Sequence, residues 1–334
     1  MRGAGRILPT LALAHALAAA APAATITILN ADAPGEGFND PTVVAAVPGN
    51  PATTRGGQRL NVFQAAAATW GAALRSNVTI QVTAQFNPLT CTPSSAVLGS
   101  AGPTTAHRDF ANAPVAATWY VQATANSRAN SDLSANPDIS AQFNSTLDLG
   151  GAGCIGGLVW WYGIDAPPVA GTIDLYTTVL HEIAHGLGVL SLHDLGTGAK
   201  FMGFDDAYLR RLRDETLALG WPALTDGQRL TSQVNTGNLT WTGPNASSRI
   251  PGFNAGTTAG RLRMYAPDPV QPGSSVSHWD TALAPNELME PILTSTSRDY
   301  ATYVMLADVG WQMHLIFKDG FQSSDDDFWS TSLP

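Results

Sequence analysis

Charge is what this sequence has least of. Only 13% of its 334 residues are Asp, Glu, Lys or Arg, about half the usual share of roughly 25%. Lysine is especially scarce, and the net charge is −9. No basic patch is present to neutralise phosphates, which excludes nucleic acid as a partner. Cysteine is nearly absent too: Cys91 and Cys154 stand alone, and without C-x-x-C spacing they do not build a metal site of their own. Beyond the first residues, no run approaches the roughly eighteen apolar residues of a spanning helix. Stable membrane insertion is therefore not expected.

What fills the chain instead is Ala, Thr, Ser and Asn, with 32 Gly and 22 Pro. Such a composition implies long loops and short strands, and it is commoner in exported proteins than in cytosolic enzymes. The first residues agree. Arg2 and Arg6 precede "ILPTLALAHALAAAAPAA", and Ala21-Pro22-Ala23 fits a leader-cleavage site. Residues 1–24 are expected to be a signal peptide and the protein to act outside the cell. In that compartment Cys91 and Cys154 are expected to form one disulfide. No cysteine lies near the N-terminus to serve as a removable inhibitory ligand.

Periodicity supplies the elements. Gln58–Ser76 places Leu60, Phe63, Ala67, Trp70 and Leu74 at helical spacing. Asn77–Phe86 alternates Val78, Ile80, Val82, Ala84 and Phe86, as a strand does. Ala117–Ala123 reads as a short buried segment, and Gly157–Gly163 as a strand. In Pro137–Ser145, Ile139, Ala141 and Phe143 alternate; this strand is expected at a sheet edge, either an ordinary one or one that binds substrate by adding a peptide strand. Asp174 is a plausible N-cap for a helix running towards Gly188. Together these make an α/β layer with a mixed sheet. Further on, the spacing predicts a helical piece over "DDAYLRRLRDETLALG" and a helix over "SRDYATYVMLADVGW". The acidic end, residues 317–334, reads as a flexible appendage.

"TTVLHEIAHGLGVLSLHD" (Thr177–Asp194) carries the chemistry. His181 and His185 are four apart, so a helix aims both imidazoles at one ion. Glu182, beside the first, can take a proton from a zinc-activated water. The flanking Val179, Leu180, Ile183, Ala184, Leu187 and Val189 leave little of this helix polar, and buried imidazoles need a partner. Gly188 lets the chain leave the helix with a left-handed turn and bend back below the metal. In the common metzincin signature the third histidine comes three residues after that glycine, but here that position is Ser191. Two candidates remain for the third ligand: the nearby His193 and the distant His278.

"SHWD…NELMEP", taken with "HEIAHGLG", resembles the leishmanolysin branch of the metzincins. There a long insertion separates the glycine from a third zinc histidine in an S-H-W context, and an E-L-M segment forms a methionine turn. The resemblance implies that His181, His185 and His278 bind one catalytic zinc, that Glu182 is the general base, and that Met289 is the methionine of the turn. It leaves His193 as a loop or supporting residue. It implies an α+β, metzincin-like fold: a mixed twisted sheet with the active-site helix above and an irregular, partly helical C-terminal subdomain below. "LADVGW" is similar to the closing helix of that family. The expected organisation is an N-terminal subdomain over residues 25–190, an insertion over 191–272 and a C-terminal subdomain over 273–316. The resemblance is strong over residues 172–190 and 273–311, and elsewhere rests on element order. The chain departs from the eukaryotic members in lacking their many cysteines. The expected activity is that of a secreted zinc endopeptidase, a monomer acting on protein or peptide substrates. The alternatives are an exported surface- or matrix-binding protein that keeps zinc as a structural staple, and a zinc hydrolase acting on something other than peptides.

Overall fold

The computed structural model describes residues 22–151, 153–293 and 300–314. The first half runs β1 (Ile26–Asn30), α1 (Arg55–Ala73), β2 (Ile80–Asn87), β3 (Gly99–Pro103), β4 (Ala106–His107), β5 (Thr118–Val121), α2 (Gln122–Ala129) and β6 (Ile139–Asn144). Two short parallel strands, β7 (Val159–Trp161) and β8 (Thr172–Asp174), then lead into α3 (Leu175–Gly186). The architecture is α+β, with several small sheets and six helices among the described residues.

The helix α1 starts at Thr54, whose side chain accepts from the Gly57 N–H at 3.2 Å. Phe63, Ala67 and Trp70, spaced for one face, are all buried. The Trp70 indole donates to the Leu180 carbonyl at 3.0 Å, which fastens α1 to α3. Beneath lies a mixed four-stranded sheet in the order β1-β2-β6-β3. In β2 the expected alternation holds: Ile80, Val82, Ala84 and Phe86 are buried while Gln81 is exposed. Phe63, Phe86 and Phe143 meet between helix and sheet at ring separations of 4.8 to 5.9 Å.

The strand expected at the edge is not there. β6 does place Ile139, Ala141 and Phe143 inward, but it pairs in parallel with β2 and antiparallel with β3. Alternation shows that one face is buried; it carries no information on how many neighbours a strand has. Beyond β6 the sheet ends on β3, a Gly-containing segment with no hydrophobic alternation to mark it, and β1 forms the other edge.

The second half is built from β9 (Asp205–Asp206), β10 (Leu212–Asp214), β11 (Leu219–Gly220), α4 (Asp226–Ser232), β12 (Leu239–Trp241), α5 (Pro244–Ser247) and α6 (Tyr300–Asp308). The helix expected over residues 205–220 is absent. Only one 3-10 turn, Leu209–Arg211, remains of it. β10 instead pairs antiparallel with both β11 and β12. The turn between β10 and β11 is made by the Asp214 carboxylate accepting the Leu217 N–H, with Ala218 at a φ of 55°. Tertiary pairing overrides local helical spacing here. Leu209, Leu212, Trp221, Leu239, Trp241 and Met264 belong to the same hydrophobic core as Trp70 and Leu180.

The helix α6 lies inside the predicted one. Asp308 in its last turn accepts the Asn245 and Ala246 N–H groups at the start of α5. Trp311, just beyond, donates to the Leu187 carbonyl at the end of α3. The expected leader lies outside the described residues up to Ala21, and the acidic segment 317–334 lies wholly outside them. Among the described residues, no helix is long and apolar enough to cross a membrane.

Candidate metal centre

The helix α3 is set by local chemistry at both ends. The Asp174 carboxylate accepts the Tyr176 N–H at 3.1 Å and the Thr177 hydroxyl at 2.6 Å, which caps the N-terminus. At the other end, Val189 N–H donates to Ala184 O and Gly188 N–H to His185 O, both at 3.0 Å. These two bonds form a Schellman motif. Gly188 sits at a φ of +118°, the positive region where a side chain is disfavoured. This turn brings the Val189 carbonyl within 2.7 Å of His185 Nδ1.

The third histidine arrives from far along the chain. His278 is held by its own main chain, whose carbonyl accepts the Tyr265 N–H, while the next residue, Trp279, donates to Met289 O. His181, His185 and His278 present nitrogens that all lie within 4.8 Å of one another. His278 Nε2 is 3.0 Å from His181 Nε2 and 3.2 Å from His185 Nε2.

The tautomers follow from the remaining contacts. His181 Nδ1 meets Leu288 O at 2.8 Å, His185 Nδ1 meets Val189 O, and His278 Nδ1 meets Ser274 O at 2.8 Å. A main-chain carbonyl can only accept, so each Nδ1 carries the hydrogen and each Nε2 presents a lone pair. Neutral rings so arranged have no hydrogen to place between the three Nε2 atoms. Facing lone pairs in a buried site are repulsive unless a cation stands among them. Nitrogens about 2.0–2.1 Å from one tetrahedral ion are roughly 3.3 Å apart, within a few tenths of an ångström of what is seen. The triad therefore fits a metal ion.

Burial keeps these rings neutral. It lowers His181 to about 3, with His185 adding a like-charge effect, and lowers His185 to about 4. Desolvation drives His278 well below its ordinary value, with the two other histidines adding to it. Metal ligation requires neutral imidazole, so the set is ready at neutral pH without losing protons.

Glu182 lies beside the triad and is 7% exposed. Burial raises its carboxyl to about 8, opposed by a hydrogen bond from the Ala101 main chain on β3. The site opens into a cleft of about 1260 Å³. One wall is Pro93–Ala101, the loop and edge strand; the other is formed by Pro272–Ser275, Leu288 and Glu290–Leu293. Among the described residues, neither lysine nor arginine lines it.

Of the two candidates for the third position, the structure brings His278 to His181 and His185 and leaves His193 apart. His193 lines the cleft, but its Nδ1 is 3.0 Å from Ser191 Oγ, its Nε2 is 3.3 Å from Gln233 Oε1, and its ring stands edge-on to Trp221. Met289 is fully buried directly after Leu288, whose carbonyl accepts from His181. Cys91 and Cys154 are joined in a disulfide, which points to an oxidising environment. The bridge closes the base of the loop that forms one cleft wall, where Cys91 pairs with Ala96 and Val97 N–H donates to Thr90 O. Sequence reasoning missed the carbonyls of Ser274 and Leu288 and the amide of Ala101. Backbone groups leave no signal in residue identity.

Comparison of the chain with protein-family models, with curated proteins and with solved structures returned no match.

Proposed function

We propose that this protein is an exported zinc endopeptidase of leishmanolysin-like, metzincin kind. The observation that carries the reading is the convergence of three neutral imidazole Nε2 atoms beside one buried carboxylate, at the bottom of an open cleft. A purely structural metal has no need of a carboxylate at an open position.

His181, His185 and His278 would hold the ion. A zinc ion there supplies a Lewis acid that acidifies water and polarises a carbonyl. Glu182 does the proton work. With a cation beside it favouring its ionised form, its carboxylate would take the proton of the attacking water and deliver it to the departing amine nitrogen. The Ala101 N–H holds that carboxylate in place.

The substrate reading rests on the edge strand β3. Its pairing to β6 uses Leu98 O at one end and, just past its last residue, Thr104 N at the other. By alternation the main-chain groups of Gly99 and Ala101 face away from the sheet. Both residues line the cleft. An extended peptide laid along that edge pairs with the Gly99 main chain and the Ala101 carbonyl, the Ala101 N–H being taken by Glu182, and brings a backbone carbonyl past Glu182. Pro103, which lacks an N–H, ends the available edge.

The test pairs zinc content with cleavage of an unstructured protein such as casein, for wild type and Glu182→Ala. About one zinc in both, with cleavage by wild type only, is the expected result. Zinc in both with no cleavage by either sinks the peptidase reading, and no zinc in either sinks the metal centre.

A further inference from the structure

Ser191 occupies the position three residues after Gly188, where the shorter metzincin signature has its third ligand, and here it does something else. Its N–H donates to Ser277 Oγ at 3.2 Å, one residue before His278. Its hydroxyl donates to Asp206 Oδ2 at 3.1 Å, an oxygen that also accepts the Leu192 N–H at 2.8 Å. The other oxygen of Asp206 accepts the Leu209 N–H at 2.7 Å. Within that turn, Tyr208 sends its hydroxyl to Val276 O at 3.0 Å, two residues before His278. Asp206 is 3% exposed and Tyr208 1%. One buried carboxylate thus binds the loop that follows the metal helix and the turn that reaches the His278 segment. The same loop begins at Val189, whose carbonyl orients His185.

We propose that Asp206, acting through Ser191 and Tyr208, is a positioning residue for the metal centre, bracing the His185 loop against the His278 segment so that the two rings meet at ligand distance. This inference rests on the metal-centre reading and does not require that the protein cleave peptides. Two separate ties reach the chain beside His278, at Ser277 Oγ and Val276 O, and both lead back to Asp206. Ser191 and Ser277 line the same cleft as Glu182, but the ties run between main chain, Asp206 and the residues beside His278, so they act on where the ligands stand. The brace also accounts for His193: its Nδ1 lies against the same Ser191 hydroxyl oxygen, and its Nε2 against Gln233, just past α4. Gln233 in turn donates to Leu195 O, closing the loop on itself.

The test measures zinc affinity by competition with a chromophoric chelator in the full chain, alongside the visible spectrum of the cobalt-substituted protein and denaturant unfolding of the metal-free form. Ser277→Ala with Tyr208→Phe removes the acceptor of the Ser191 N–H and the donor to Val276 O, and with them both ties to the His278 segment. Zinc affinity is expected to fall about tenfold to hundredfold, the effect typical of groups that orient ligands, with a changed cobalt spectrum. Ser277→Thr, which keeps the accepting hydroxyl, is expected to stay within about threefold of wild type, below that orienting range. An unchanged affinity and cobalt spectrum in the double variant overturn the proposal, even if the metal-free protein loses stability, because a brace that only packs the fold acts there alone. A wild type that binds no zinc overturns it together with the metal centre. Weakened zinc binding in the variant beside a wild type that cleaves no casein upholds the brace and sinks only the peptidase reading.

Discussion

Replacing His278 by Ala tests the proposed metal centre most directly, because the other two proposed ligands share one helix and His278 does not. Its Nε2 lies 3.0 and 3.2 Å from those of His181 and His185, so its loss removes one of the three proposed ligands and leaves the helix untouched. Structural zinc sites with four protein ligands bind with about 10–16 kcal/mol, or roughly 2.5–4 kcal/mol per ligand. At about 1.4 kcal/mol per tenfold, the affinity of His278→Ala for zinc should fall by about 10²–10³. The matched control is His193→Ala. That ring is equally buried, packs on Trp221 and bonds Ser191 and Gln233. It stands outside the triad, so its loss should cost less than about tenfold, the lower end for groups beyond the ligands. Chelator competition on both variants, with the circular dichroism of each as a check on folding, decides the matter. The reasoning fails if His278→Ala binds zinc within tenfold of wild type, or if His193→Ala loses as much as His278→Ala.

Two further outcomes are expected. In the metal-free protein, burial holds His181 near 3 and His185 near 4, against 6.5 when exposed, so the unfolded chain takes up protons that the folded one refuses. Stability should therefore fall as pH drops below about 6.5, by up to about 1.4 kcal/mol per pH unit for each ring. Glu182 has the opposite sign: raised from 4.5 to about 8, it keeps in the folded state a proton that the unfolded chain releases, so stability falls as pH rises from 4.5 towards 8. Glu182→Gln should abolish the decline above pH 6.5 and leave the acid limb; urea midpoints that decline identically in both proteins would refute the assignment. Reducing or replacing the Cys91–Cys154 bridge, which closes a 63-residue separation, should cost about 4 kcal/mol of stability by the chain-entropy relation. Because the loop it closes forms one cleft wall, KM for an unstructured substrate should rise with little change in kcat, and a lower kcat at constant KM would contradict that role.

The sequence by itself determined what is local. The helix α3 follows from the Asp174 cap, the i,i+4 histidines and the Gly188 turn, all of which act within a few residues. The alternation of Ile80, Val82, Ala84 and Phe86 likewise placed β2, and the face of β6 was read correctly from Ile139, Ala141 and Phe143. The choice of His278 over His193 came only from resemblance, since spacing left both open. Tertiary structure decided what depends on neighbours. It put β3 at the sheet edge and β6 inside, because pairing partners do not show in a strand's own pattern. It turned Leu212–Asp214 and Leu219–Gly220 into paired strands, because β12 offered β10 hydrogen bonds that a lone helix would forgo. It also supplied the carbonyls of Ser274, Leu288 and Val189 that set the histidine tautomers. A histidine can be read from sequence, but which of its nitrogens faces a metal is fixed by backbone that only the folded chain brings to it.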